Sequence, residues 1–340
     1  MRFKLTGFLA LALVLLPSCD DLSIVREGDG KVAPILTSEA KIETPAELEL
    51  GGDGLLRLKV VGTAEYGCTL NPGGADGPYE ATQYGTAFAL NANQRAHANI
   101  LKANYHLRVS AIKLRLSRVF NAQGHINVEI RTENSGQPTD TVLMRSNDFA
   151  VSDIDEDFPD GRDVTFSLPQ KLSLQKGSSI ALVLTPVSAA VDGANYILWI
   201  VANGAGCTEF PTFLASTDSG ATWNVEKADS PSFFALEAEK HAGSGTASWV
   251  VIGEPSAIWK MSEFAMNEDP QKLGSGSFLY DVGVGEDPST PHYSHLGLTQ
   301  AQVRELPELQ GTYLYLRAHF AIDPPGFDQA ELGDGLIKYR

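Results

Sequence analysis

Alternation of apolar and polar residues with a period of two is the feature that most limits what this 340-residue chain can become. Ile112, Leu114 and Leu116 alternate with Lys113, Arg115 and Ser117, and Ile126, Val128 and Ile130 alternate with Asn127, Glu129 and Arg131. Successive side chains of a strand point to opposite faces, so this pattern predicts antiparallel strands with one wet face. Asn121-Ala122-Gln123-Gly124 supplies a turn between the two, and Ser135-Gly136-Gln137-Pro138 ends the second. Residues 180–184 and 196–201 are apolar on both faces, as strands in the middle of a sandwich are.

The alternation returns near the C-terminus, where Phe278, Tyr280, Val282 and Val284 form one series and Leu314, Leu316, Ala318 and Phe320 another. Between them Thr299 and Gln302 have the spacing of a capping box, which predicts a short helix over 299–306 that stops before Pro307. Leu336-Ile337-Lys338-Tyr339 reads as a last edge strand. The fold class is therefore all-β, with two sandwiches separated at the Gly-Ser stretch Ala242-Gly243-Ser244-Gly245. The larger is expected over 48–240, starting with a first strand or hairpin around Gly51-Gly52-Asp53-Gly54, and the smaller over 241–340. Residues 19–47, with Gly28, Gly30, Pro34 and Pro45 among scattered charges, read as a flexible tether.

Ahead of the tether, Arg2 and Lys4 precede an apolar run over residues 5–16, too short to span a bilayer, which takes about 20 residues. A basic start, a short apolar core and a small residue before the cut describe an export signal over residues 1–18. Leu16-Pro17-Ser18-Cys19 resembles the lipobox of bacterial lipoproteins. That resemblance implies cleavage before Cys19, lipid attachment to its thiol and retention on a membrane through several acyl chains. Asp20 and Asp21 resemble an inner-membrane retention signal of enteric bacteria; the leaflet, outer-membrane surface or periplasmic face of the inner membrane, stays open.

Composition narrows the partners. The chain holds 26 Lys and Arg against 42 Asp and Glu, and loss of Arg2 and Lys4 with the signal takes the formal charge from −16 to about −18. Such a surface repels phosphate backbones, which excludes nucleic acid as a partner class. With Cys19 carrying lipid, Cys68 and Cys207 remain as an even pair in an oxidising compartment, where a disulfide is the expectation. Such a bond would close a long loop, worth about 4 to 5 kcal/mol in the chain-entropy model. Two separately buried thiols are the alternative.

An ordered series of segments carries a second resemblance. Ile126-Asn127-Val128-Glu129-Ile130 is followed by Gly136-Gln137-Pro138-Thr139-Asp140-Thr141-Val142-Leu143, then Leu172-Ser173-Leu174-Gln175-Lys176-Gly177 and Ala181-Leu182-Val183-Leu184. Asn195-Tyr196-Ile197-Leu198-Trp199 and Ser216-Thr217-Asp218-Ser219-Gly220-Ala221-Thr222-Trp223 complete it. Residues 82–239 thereby resemble the choice-of-anchor and carbohydrate-binding-module-like jelly rolls of bacterial surface and phage tail proteins. The C-terminal run Gly311-Thr312-Tyr313-Leu314-Tyr315-Leu316-Arg317-Ala318 is similar to core strands of fibronectin-like (immunoglobulin-type) and discoidin-like modules.

Three constellations could carry chemistry. Ser216, Asp218, Gly220, Thr222 and Trp223 match the Asp-box of sialidases and other propellers; with one box and no repeat, the reading is a structural hairpin with Trp223 plugging the core. Asp153, Asp155, Asp157 and Asp160, with Glu156 and Asp163, place oxygen ligands at alternate positions and could hold a structural Ca²⁺, although the EF-hand spacing is missing; a solvated acidic loop is the alternative. Sugar-binding sandwiches stack pyranose rings on exposed aromatic faces beside polar groups, and Tyr196, Tyr313, Tyr315 and Arg317 are the candidates, with Trp199 and Trp223 expected inside. No nucleophile elbow, phosphate loop or zinc-protease motif occurs, so no catalytic residue and no cofactor beyond that Ca²⁺ is expected. The expectation is a lipid-anchored, non-enzymatic surface protein that binds glycan or another surface component. An envelope assembly component contacting proteins is the alternative, and a glycan-active hydrolase a weaker one.

Overall fold

The computed structural model describes residues 30–69, 79–80, 84–91, 95–158, 160–188, 191–202, 212–228, 232–272 and 276–340. Cys19 and Cys207 lie outside them. Among the described residues every regular element is a strand except the α-helix Gln300–Arg304 and two 3-10 turns, Thr37–Glu39 and Val151–Asp153. The chain is all-β, and none of these helices is long and apolar enough to cross a membrane.

The strands form two sandwiches. In the first, one sheet runs Tyr79–Glu80, Val60–Thr69, Phe234–His241, Leu107–Val119, Tyr196–Ala202, Tyr84–Leu90, with Arg162–Leu174 also paired to Leu107–Val119. The facing sheet runs Gln137–Arg145, His125–Asn134, Ser179–Pro186, Ala96–Lys102, Thr212–Ser216, Asn224–Ala228. Ile112, Leu114 and Leu116 from one sheet meet Ile126, Val128 and Ile130 from the other in a core that also encloses Trp199 and Phe213. The period-two pattern is realised with its apolar members inward, but the polar face is not wet throughout, since Ser117, Asn127 and Glu129 are buried as well. Ser135 and Gly136 both take positive φ (54° and 80°), the conformation a two-residue hairpin needs to follow strand twist.

In the second sandwich, Ser277–Gly285 and Tyr313–Ala321 pair so that Phe278 lies opposite Phe320, Tyr280 opposite Ala318 and Val282 opposite Leu316. The helix Gln300–Arg304 forms with the expected box: Gln302 donates its amide to the Thr299 hydroxyl, and its side chain accepts from the Thr299 amide.

Segment 31–58 differs from the tether expectation, which ran to residue 47. Lys31–Ile35 pairs antiparallel with Glu331–Tyr339, and Lys41–Ile42 pairs with Ser244–Ile252. The hairpin Leu48–Leu50 and Leu56–Leu58 forms as expected, but it joins Glu331–Tyr339 rather than the first sandwich. Ala33, Ile35, Leu48, Leu56 and Leu58 are buried in the second core. Thr37 ties the segment further, donating from its amide (2.7 Å) and hydroxyl (2.8 Å) to Asp334, and Trp249 donates to the Leu36 carbonyl at 2.9 Å. The burial of five apolar side chains is what orders these residues.

The terminal strand is corrected in the same way. Glu331–Tyr339 pairs with Lys31–Ile35, Ile258–Glu268 and Leu56–Leu58, so it lies inside its sheet and not at an edge. The larger unit therefore starts near residue 60 and is interposed within the smaller one. The chain leaves the second sandwich after Lys59 and returns at Ala242, and the two crossings are joined by the Ala242 amide donating to the Lys59 carbonyl at 2.9 Å.

Candidate functional site

An aromatic cleft opens where the strand Leu107–Val119 ends beside the start of Tyr196–Ala202. Ile197 and Trp199 point into the core, which turns Tyr196 and Leu198 to the opposite face of the sheet, where Tyr196 is half-buried and Leu198 is buried. Leu107–Val119 runs into the turn that Phe120 begins, and this ring is 63% exposed with φ at 51°. Loop 151–161 crosses the same end and contributes Glu156 and Phe158, the latter 62% exposed. Together with Arg118 and Val119 these side chains enclose about 490 Å³.

Arg118 organises the cleft. It donates from Nε to the Ile154 carbonyl (3.0 Å) and from Nη1 to the Phe120 carbonyl (2.8 Å), and Nη2 pairs with Glu156 at 3.1 Å. One guanidinium therefore fixes both the loop that carries Phe158 and the turn that carries Phe120. A left-handed conformation is uncommon for a bulky residue, and strain of this kind collects at functional sites. The result is two open aromatic faces and a half-buried tyrosine beside an arginine and a carboxylate. Apolar faces with a few fixed polar groups are the chemistry of a small-ligand cleft.

Of the aromatic candidates, Tyr196 lines this cleft. Tyr313 is half-buried at the start of Tyr313–Ala321, on the other sandwich. Tyr315 is corrected: it is 1% exposed, and its hydroxyl donates to the Asp287 carbonyl at 2.7 Å, so it offers no face to a ligand. Arg317 pairs with Glu43 (3.1 Å) and lies over the Tyr293 ring, 4.3 Å from its centre. Trp199 is enclosed as expected, donating to the Phe233 carbonyl at 2.9 Å.

In loop 151–161 arginines engage most of the acidic groups. Arg162 pairs with Asp157 (2.8 Å) and approaches Asp155 (3.8 Å), and Arg115 reaches the Asp160 carbonyl (2.7 Å) and the Asp163 carboxylate (3.0 Å). Asp153 accepts from the Ser152 hydroxyl at 3.2 Å. Among the described residues no group of three or more His, Cys, Asp or Glu is placed to hold a metal ion. Gly161, at φ 65°, is required here, since a Cβ would lie 2.7 Å from Ile200.

The segment with the Asp-box spacing closes the hairpin between Thr212–Ser216 and Asn224–Ala228. Ser216 accepts from the Gly220 amide (2.7 Å) and donates to Asp218 (2.7 Å), which in turn accepts from the Thr222 amide (2.8 Å) and hydroxyl (2.7 Å). The Thr222 and Ser216 bonds hold the Asp218 carboxyl down at about 2. Trp223 does not enter the main core. It caps the outer face of its sheet over Ala96, Ala98, Ala181, Val183 and Leu214, because those strands carry small apolar residues on both faces. Beside this cap, buried Glu129 pairs with Arg131 (2.6 Å) and Arg145 in a polar groove of about 270 Å³ that Asn127 and Thr185 also line. Cys68 is buried opposite Phe234.

The cleft residues Phe120 and Phe158 were not legible as ligand contacts in the sequence. The available signal was a bulky apolar residue in a turn (Phe120-Asn121-Ala122) and another just before a proline in an acidic loop (Asp157-Phe158-Pro159). No known family model matches this chain. No curated protein matches it in sequence either.

Proposed function

We propose that this protein is a lipid-anchored bacterial surface protein that binds glycan, without catalysis, through the cleft of Phe120, Phe158 and Tyr196. The observation that carries the reading is the pair of exposed phenyl rings held beside the Arg118–Glu156 ion pair. Ring faces stack on the apolar face of a pyranose, and the flanking guanidinium and carboxylate serve its hydroxyls. The lipobox-like Leu16-Pro17-Ser18-Cys19 supports the anchor, on the extracytoplasmic side of a membrane. A Cys68–Cys207 disulfide is a corollary of that setting, and a structural Ca²⁺ on the acidic loop is a separate proposal that would have to compete with the arginines paired there.

The test is a broad glycan array probed with the full chain, with and without Ca²⁺. Binding to one sugar class that disappears in a Phe158→Ala variant supports the reading. Loss on chelation would assign Ca²⁺ to the loop, and binding unchanged by Phe158→Ala would overturn the cleft as the site. For the anchor, Cys19→Ala should abolish incorporation of a fatty-acid probe; labelling that survives sinks it. A non-reducing peptide map without a Cys68–Cys207 species removes the disulfide.

An envelope protein as partner is the second reading. It is favoured by the chemistry of Phe120 and Phe158, which lack the polar tip that Tyr or Trp brings to sugar hydroxyls. A blank array from folded protein, followed by crosslinking from position 158 to an envelope protein, would shift the assignment.

A further inference from the structure

The seam between the two sandwiches holds a partly open polar cavity of about 270 Å³. Its walls come from both units: Glu239 and His241 from the first, and Arg57, Gln329 and Glu331 from the second. Among the described residues, several buried side-chain polar atoms without a hydrogen-bond partner line this cavity. They are both carboxylate oxygens of Glu331, Oε1 of Gln329, Nδ1 of His241 and Nε of Arg57. Glu331 is 0% exposed, and Gln329 and His241 are more than nine-tenths buried. Buried polar groups in folded proteins are almost always satisfied by protein, water or ligand, so the atoms lining this cavity set the chemistry of whatever fills it in solution.

The character of the orphans specifies that occupant. Three are oxygens that can only accept while Glu331 is ionised, against a single certain donor, Arg57 Nε. Charge points the same way. Arg57 contacts the Asp53 carboxylate closely and stands 3.6 Å from Glu331, so its one positive charge is shared between two acids. Glu239, by contrast, is matched by Lys171 and Arg108. Glu331 is left under-compensated: burial raises its carboxyl above the usual range, and Asp53 and Asp269 add to the effect against the pull of Arg57. Burial also lowers the His241 imidazole, which disfavours a competing cation there. An ammonium group presents three donors and a positive charge, whereas a hydroxyl presents one donor and none.

We infer that the seam cavity binds a small molecule bearing a primary ammonium group, with Glu331 as its counter-ion and the Gln329 amide oxygen as a second acceptor. This site is separate from the aromatic cleft and does not depend on what that cleft binds. Because its walls belong to both units, occupancy joins them, and a ligand that binds only the folded state raises the melting temperature.

The test compares ethanolamine with ethylene glycol, which replaces the ammonium by a hydroxyl at nearly constant shape. Melting temperature and titration calorimetry on the full wild-type chain should show ethanolamine binding at least about tenfold tighter, as a charge-assisted bond to a buried carboxylate does. Glu331→Gln keeps the shape and should remove that discrimination, and Gln329→Leu should weaken ethanolamine in a chain whose counter-ion is intact. Equal responses to the two probes would overturn the assignment, even if Glu331→Gln does not fold. So would no response to either, with a crystal structure showing ordered water alone in the cavity.

Discussion

Arg118 donates from Nη1 to the carbonyl oxygen of Phe120 at 2.8 Å, so a guanidinium at the end of one strand holds an open phenyl ring in the left-handed region. The same side chain clasps the loop that presents Phe158. Arg118→Ala removes all three side-chain contacts and should speed amide exchange across residues 151–161 by at least about tenfold, while global stability falls by about 1 to 2 kcal/mol. Ligand binding should fall with it. Unchanged exchange in that loop would show that Arg118 does not organise the cleft.

Phe120 offers a sharper separation of stability from binding. Glycine adopts φ of 51° without the penalty that a side chain incurs, about 1 kcal/mol for a single residue. Phe120→Gly should therefore leave the melting temperature equal or higher, offset in part by the greater freedom of the unfolded chain, while glycan-array signal drops. A marked loss of stability would mean that the ring packs as a structural element.

Ile35 tests the N-terminal strand. It is 1% exposed within the second core, and Ile35→Ala should cost about 3 kcal/mol in urea denaturation, the usual penalty for emptying a well-packed site. A tether residue would show no effect at all.

Asp218 has a pH signature. Its folded carboxyl sits at about 2 against an ordinary 3.8, so its contribution is complete above the ordinary value and disappears as the pH falls through the folded one. Wild type and Asp218→Asn should differ most in melting temperature above pH 5 and converge as the pH approaches 2. A difference that stays constant down to pH 2 would separate the hairpin's stability from this carboxylate's charge.

The strands were legible because period two is a local property: Ile112 to Leu116 and Ile126 to Ile130 declare their faces within a few residues. The Ser135-Gly136 turn and the Thr299–Gln302 box were legible for the same reason. Lys31–Ile35 was not, since its Pro34 and flanking charges read as linker. Pro34 is tolerated in this ladder because the strand pairs on one side alone, the edge position where a missing N–H is least costly. Nothing local announces a partner some three hundred residues away. The cleft was half legible. Tyr196 declares itself by its chemistry, but Phe120 and Phe158 do not, because phenylalanine ordinarily belongs to a core and the loop crossing that exposes them is a tertiary fact.

The meeting of Lys59 and Ala242 has a consequence for how such a molecule can change over time. The second sandwich is a host whose own strands flank a gap only 2.9 Å wide between carbonyl and amide, and the first is a guest threaded through it. Loop-closure entropy grows only slowly with the length of an insert, and here the ends already touch. A host of this kind can exchange its guest, and with it the aromatic cleft, while keeping its own core.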